Sequence, residues 1–329
     1  MSTVAAVVLF TGVVAYAVLG GADYGAGFWD LTAGGTARGA APRRLIDHTL
    51  APVWEANHVW LIFCLVMLWT AFPPAFAAIM TTLYVPLGLA ALGIVVRGCG
   101  FAFRKVVVDT PQQRAAGAAF AASSVITPFF LGTVAGAIAS GRVPSRGSGN
   151  PVTGWLNPTS LLGGVLAVIA CAFVAAVFLA SEANRLGDAD LEAWYRRRAR
   201  AGAVVTGTVA LAGTAVLRAD APHLLHGLLT RGLPLLVLSA GCGVASLVLR
   251  GRPRLSQAVA VGAAGSVVLG WGVAQYPYLL GTHLRIGEAA APGPTLWALT
   301  VVAGAAVLAV VPAFTLLFVL LERGRLEGH

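Results

Sequence analysis

The sequence predicts an all-α, polytopic membrane protein of about nine transmembrane helices. Three observations carry that reading: 58% of the 329 residues are hydrophobic, only 11% are charged, and the mean hydropathy is +0.82. A soluble domain carries about twice that share of charge.

A membrane-spanning helix needs about 20 mostly apolar residues. Scanning at that length places spans near residues 3–24, 53–72, 75–103, 113–140, 159–181, 201–217, 224–249, 255–277 and 295–321. The first has no basic segment before it and no small-residue cleavage site followed by a soluble domain, so it is expected as a retained helix rather than a signal peptide. The second carries the polar run Glu55, Asn57 and His58, and the third runs through glycines to Arg97. In the fourth and fifth, Gly132, Gly136, Gly163 and Gly164 fit close helix packing, where small residues let backbones approach. Between the fifth and sixth, residues 181–200 bring Glu182, Asp188, Asp190 and Glu192 beside five arginines, which reads as a solvated helical extension with ion pairs. The sixth span is short, and the seventh holds Arg231 inside it. Nine spans divide into two four-helix bundles plus one peripheral helix, in a single transmembrane domain over residues 1–329. No internal repeat is legible, and no interrupted helix.

Basic residues orient the bundle, because short cytoplasmic loops retain Lys and Arg. With the N-terminus outside, the inner segments hold sixteen basic residues and the outer ones only Arg142, Arg146, Arg218 and Arg285. The expected topology is therefore N-out and C-in. The net charge of +9 follows from the same bias and implies attraction to anionic lipid headgroups rather than to nucleic acid. One Lys against 21 Arg, with abundant Ala and Gly, suggests a GC-rich bacterial genome. The four cysteines, Cys64, Cys99, Cys171 and Cys242, form no CxxC pair and read as buried small hydrophobes.

Ionisable groups inside a membrane helix are costly, so they are the first functional candidates. Asp23 lies late in the first span, while Glu55, Asn57 and His58 lie early in the second, so both sets fall toward the cytoplasmic side. Helix spacing puts Glu55 and His58 on one face. Arg97, in the third span, runs toward the same side and offers a counter-charge. Such a group could take up a proton and relay it inward. The competing reading is an ion-paired cluster that pins three helices together. Trp29 and Asp30 close the first span at the interface, and Trp54 and Trp60 read as interface anchors and packing.

These residues also carry a resemblance. Gly20-Gly-Ala-Asp-Tyr-Gly-Ala-Gly-Phe28 is similar to the pattern Gly-x-Asp-x-Gly-x-Gly, with Asp23 in the acidic place, and Ala51 to Leu61 resembles Pro-Val-Trp-Asp-Gly-Asn-x-Val-Trp-Leu. Arg97 to Arg104 resembles Arg-Gly-x-x-Phe-Glu-Phe-Arg, Trp155 to Leu162 resembles Trp-Leu-x-Pro-Phe-Ser-Leu-Leu, and Tyr276-Pro277 precedes the last span. Patterns in that order over most of a nine-span chain are those of subunit II of the cytochrome bd-type quinol oxidases.

The resemblance implies a bacterial inner-membrane chain that packs against a haem-bearing subunit I, which holds haems b and d, or b alone, and oxidises quinol. This chain would bind no haem itself and would contribute stability and part of a cytoplasmic proton-uptake route through Glu55, His58, Asp23, Asn57 and Arg97. Some members also hold a structural quinone, and a small accessory subunit and membrane lipid complete the expected partners. The inventory agrees, since His48, His223, His226, His283 and His329 sit at span ends, loops or the terminus and there are only three methionines, which is poor provision for intramembrane haems.

Departures matter. Glu55 stands where Asp is usual, His58 where Gln or Glu is, Ala102 where a carboxylate is, and Trp29-Asp-Leu31 where Pro-Phe often ends the first pattern. Two other classes stay open: a secondary transporter or channel built on the acidic cluster, which requires interrupted helices near the midplane and an inverted repeat, and a purely structural membrane subunit.

Overall fold

Apolar runs long enough to cross a bilayer become helices, because inside hydrocarbon every backbone polar group must find its partner within the segment. The computed structural model describes residues 1–35, 39–50, 54–106, 110–145, 148–249 and 252–322. Its helices are α1 (Ser2–Thr32), α2 (Ala40–Leu50), α3 (Trp54–Ala71), α4 (Pro73–Thr82), α5 (Tyr84–Val106), α6 (Thr110–Ala139), α7 (Pro158–Arg185), α8 (Ala189–Asp220), α9 (Pro222–Thr230), α10 (Leu233–Val248) and α11 (Pro253–Gln275). A small antiparallel hairpin, β1 (Tyr278–Leu280) and β2 (Leu284–Arg285), leads through α12 (Ile286–Ala289) into α13 (Gly293–Glu322).

Among the described residues, six helices are long and apolar enough to cross a membrane, and two bent pairs raise the number to eight; Gly293–Ala309 is a shorter apolar helix. The bends correct the expectation of uninterrupted spans. The segment expected as 75–103 is broken: α4 turns 119° from α3, and α5 starts afresh at Tyr84. Pro73 and Pro74 follow the buried Phe72, and a proline cannot donate to the helix ladder, so the chain turns there. The expected 224–249 span likewise divides into α9 and α10, which meet at 74°. The sixth span, expected as short, is the last part of the 32-residue α8, and the 181–200 segment is helical on both sides of Leu186 to Asp188.

α1 is the axis of the bundle, packed against α3, α6, α7 and α11. One apolar core surrounds its C-terminal half, where Phe101, Phe120, Phe173, Val177 and Tyr195 gather; a second, around Phe72, Val143, Leu280 and Leu284, encloses its N-terminal half. α6 and α7 meet backbone to backbone, as the glycines predict: a Cβ at Gly136 would stand 2.6 Å from Ser160 Cα, and one at Gly163 2.6 Å from the Gly132 carbonyl.

The Trp155–Leu162 segment is a helix-start device. Asn157 accepts from Ser160 N at 3.0 Å as the N-cap of α7, and Pro158 supplies the first turn. Asp220, ending α8, accepts from both Thr159 N (3.1 Å) and Thr159 Oγ1 (2.6 Å) and pairs with Arg142. Nearby, Gly141 (φ +75°) and Gly281 (φ +49°) face each other across a crossing, a left-handed backbone that glycine adopts without Cβ strain. At the opposite end, Asp188 caps α8 and Arg185–Glu182 and Arg196–Glu192 form the expected ion pairs.

Three expectations change. Asp30 is buried and ion-paired with Arg43 (2.8 Å) rather than interfacial, which docks the amphipathic α2 on α1. Trp29 is buried as well, its Nε1 donating to Ala172 O at 2.8 Å. Cys99 is exposed on α5, whereas Cys64, Cys171 and Cys242 are half-buried, so none is the fully enclosed hydrophobe expected.

Candidate functional site

The glycines of the α1 pattern decide where Asp23 sits. Gly25 lets α1 ride directly on the Cys171 backbone of α7, and a Cβ there would overlap the Cys171 carbonyl. Gly27 leaves the space that the Ser124 hydroxyl of α6 occupies, and a Cβ there would come within 2.9 Å of Arg97 Nη1. From the other side, Gly100 brings α5 onto α6, where a Cβ would meet Ala116 O at 2.9 Å. Three helices therefore converge on one buried point.

At that point Arg97 Nη2 donates to Asp23 Oδ1 at 2.7 Å and to Asp23 O at 3.0 Å. Both side chains are only 2% exposed. Nη1 donates to Ser124 Oγ, which donates in turn to Phe120 O at 2.6 Å. The guanidinium lies 4.3 Å from the Phe120 ring and 5.0 Å from the Tyr24 ring, a cation–π arrangement that gains strength away from water. Tyr24 and Tyr16 extend the polar strip, hydroxyl to hydroxyl, at 3.1 Å. Asp23 Oδ2 and Arg97 Nε have no hydrogen-bond partner among the described residues. Charges taken out of water are tolerated only when paired, and here the pairing is close but leaves one acceptor and one donor over.

Asn57 and His58 stand on α3, on another side of α1. Asn57 is buried; His58 is half-buried and already engaged in an interaction. Gly12 of α1 faces Phe63 and Cys64 of α3. At 1.5 Å per residue, Asn57 lies about 10 Å and Asp23 about 16 Å from that crossing toward the same end. The structure thus joins Asp23 to Arg97 and sets Asn57 and His58 at a neighbouring depth. The Glu55 and Trp54 side chains lie outside the described residues, while Trp60 packs edge-on against Phe63 (6.3 Å between centroids).

Ala102 is exposed, turned away from the buried pair, so a carboxylate at that position would stand on the outer face of α5. Sequence reasoning missed Tyr16, Tyr24, Phe120 and Ser124. The available signal was the glycine spacing around Asp23, since glycines flanking an intramembrane charge mark where a partner helix comes close. The two helix breaks, at Phe72 and at Arg231, lie at the end of the bundle away from Asp23, not at the midplane beside it.

His223 Nε2 is bonded to Ala139 O at 2.8 Å, His48 is exposed beside Glu182, and among the described residues no three His, Cys, Asp or Glu side chains gather.

Comparison with known proteins bears on the whole chain. A family model described as cytochrome bd terminal oxidase subunit II matches residues 1–321. Cytochrome bd ubiquinol oxidase subunit 2 of Bacillus subtilis is 27% identical over 216 residues, which is 65% of this chain and 61% of that protein. Cytochrome bd-I ubiquinol oxidase subunit 2 of Escherichia coli K12 is 30% identical over 164 residues, 47% of this chain and 42% of that one. The matched stretches thus span between about two fifths and three fifths of the length of these relatives. A chain in the solved structure of the bd oxidase from Geobacillus thermodenitrificans superposes with a TM-score of 0.82 at 25% identity, covering 100% of this chain and 99% of that one.

Proposed function

Because this chain belongs to the cytochrome bd terminal oxidase subunit II family, we propose that it is the subunit of a quinol:oxygen oxidoreductase that packs against a haem-bearing subunit I and lines part of a proton route from the cytoplasm. It is a multi-pass protein of the bacterial inner membrane. The observation that carries the proposal is end-to-end likeness to a bd oxidase chain.

In this reading the haems and the redox steps belong to subunit I, and the N-terminus lies outside. The residues of this chain hold and move protons. Arg97 holds Asp23 through a buried 2.7 Å contact and Ser124 through Nη1, so in this reading the pair anchors α1, α5 and α6. Glu55 and His58, at the start of α3, are the carriers, a carboxyl and an imidazole being the side chains best able to exchange a proton. Asn57, buried on α3 next to His58 in the chain, orients the route.

Glu55→Gln keeps shape and hydrogen bonding while removing the titrating carboxyl. Quinol oxidase turnover of the assembled complex is expected to fall by about 100-fold, the lower range for loss of a proton-transfer group, with haem content per complex unchanged. Haem lost in step with activity would make Glu55 structural and favour a purely structural subunit. His58→Gln is expected to shift the pH dependence of turnover; an identical profile would remove His58 from the route.

A further inference from the structure

We propose that the end of the bundle carrying the α7–α8 and α10–α11 connections binds an anionic phospholipid, seated between α8 and α10 with its phosphate on Arg200 and Arg252. The proposal is independent of the proton route.

Between α7, α8, α10 and α11 lies a notch of about 20 Å³ lined by Ser181, Asn184, Arg196, Ser246 and Ser256. Its floor is rigid and satisfied: Ser181 Oγ donates to Val177 O (2.9 Å), Ser256 Oγ donates to Ser246 O (3.0 Å), and Arg196 is neutralised by Glu192 at 2.6 Å. A volume of that size takes a single water or headgroup oxygen, so a ligand lies over the notch rather than in it. Arg200 follows the lining residue Ala199, and Arg252 precedes the lining residue Pro253. Both are exposed, and neither has a hydrogen bond or ion pair among the described residues. Of the four acids in the α7–α8 stretch, three are committed, Glu192 to Arg196 and Asn184, Glu182 to Arg185, and Asp188 to the α8 cap, while Asp190 is exposed in the first turn of α8. Two exposed arginines without an ion pair among the described residues therefore each adjoin a residue that lines one polar notch.

What runs away from each arginine identifies the occupant. On α8, Arg200, Val204, Gly207 and Leu211 recur at helical spacing on one face, with Val204 66% and Leu211 74% exposed. On α10, Val237, Val244 and Val248 form a second exposed apolar stripe that ends just before Arg252. The two helices touch, and the apolar part of α8, packed on α7 along one side, leaves most of its residues uncovered. From Arg200 to Leu211 is about 16 Å along the axis, close to the roughly 15 Å depth of one leaflet's hydrocarbon. Cationic head, then one acyl length of apolar surface on both helices, is the order of groups in a phospholipid; a soluble phosphate uses only the head of this arrangement, and a protein partner does not require the match in length.

The test uses the purified assembled complex in mixed micelles, with thermal midpoint followed against the fraction of phosphatidylglycerol in phosphatidylcholine. The wild type is expected to be stabilised by phosphatidylglycerol. In the double variant Arg200→Gln, Arg252→Gln the half-saturating fraction is expected to rise about 30-fold, from about five-fold per surface arginine. Arg200→Lys, Arg252→Lys is expected to retain most of the effect, and Arg218→Gln, an exposed arginine at the far end of α8, all of it. Equal stabilisation by phosphatidylcholine, an unaltered response in the double Gln variant, or full protection by inorganic phosphate alone would each overturn the proposal.

Discussion

Replacing Arg97 by alanine is expected to destabilise the protein by about 3–5 kcal/mol, the cost of leaving one member of a buried ion pair uncompensated. The geometry argues for the upper part of that range. Asp23 is 2% exposed, its Oδ1 depends on Arg97 Nη2, and its Oδ2 has no other donor among the described residues. Removing the guanidinium also orphans Ser124 Oγ as an acceptor and empties the space between the Tyr24 and Phe120 rings, a cavity at the junction of α1, α5 and α6. The measurement is the thermal midpoint and yield of the detergent-solubilised complex. Replacing both charges by apolar residues of similar size, Asp23→Leu with Arg97→Met, is expected to recover most of the loss, since a buried pair roughly offsets its own desolvation. A single variant as stable as the wild type would mean that Asp23 does not depend on Arg97, and would return it to the list of proton carriers.

Gly25→Val is expected to prevent α1 from docking on α7. A Cβ at Gly25 would overlap the Cys171 carbonyl and stand 2.7 Å from Ala175 Cβ, and the obstacle is backbone, which cannot rotate away. Overpacking a well-filled core costs about 1–3 kcal/mol when side chains can yield, so a backbone obstacle on the central helix is expected to exceed that and abolish assembly. Gly88→Ala is the control. It lies on the exposed side of α5 with open space around it, and there alanine is expected to stabilise by about 0.5–1 kcal/mol through helix propensity. If Gly25→Ala and Gly88→Ala behaved alike, close approach of α1 and α7 would not be what the glycine pattern serves.

Both predictions arise where an intramembrane charge meets a glycine-spaced helix, and that combination was partly legible in advance. Apolar length alone marks the helices, because a bilayer admits no other solution for a long run without charge. Asp23 and Arg97 announce themselves as charges inside such runs, and Asn157-Pro158 carries its capping chemistry within three residues of chain. The 119° turn at Phe72 was not legible, because Pro73 suits the first turn of a new helix as well as it breaks an old one. Nor were Tyr24, Phe120 and Ser124 legible as neighbours of Arg97, since neutral residues in an apolar span differ little from packing. Asp30 shows the same limit: at the end of an apolar run it reads as interfacial, and only the return of Arg43 on α2 makes it a buried partner. What the sequence by itself determined was that most of the chain is long apolar helix and which charges lie inside those runs, for those follow from the transfer cost of each residue along the chain. Which charge meets which, and which face Ala102 and Cys99 turn outward, depended on helix rotation, which is set by backbone contacts such as Gly25 on Cys171 that join residues more than a hundred positions apart.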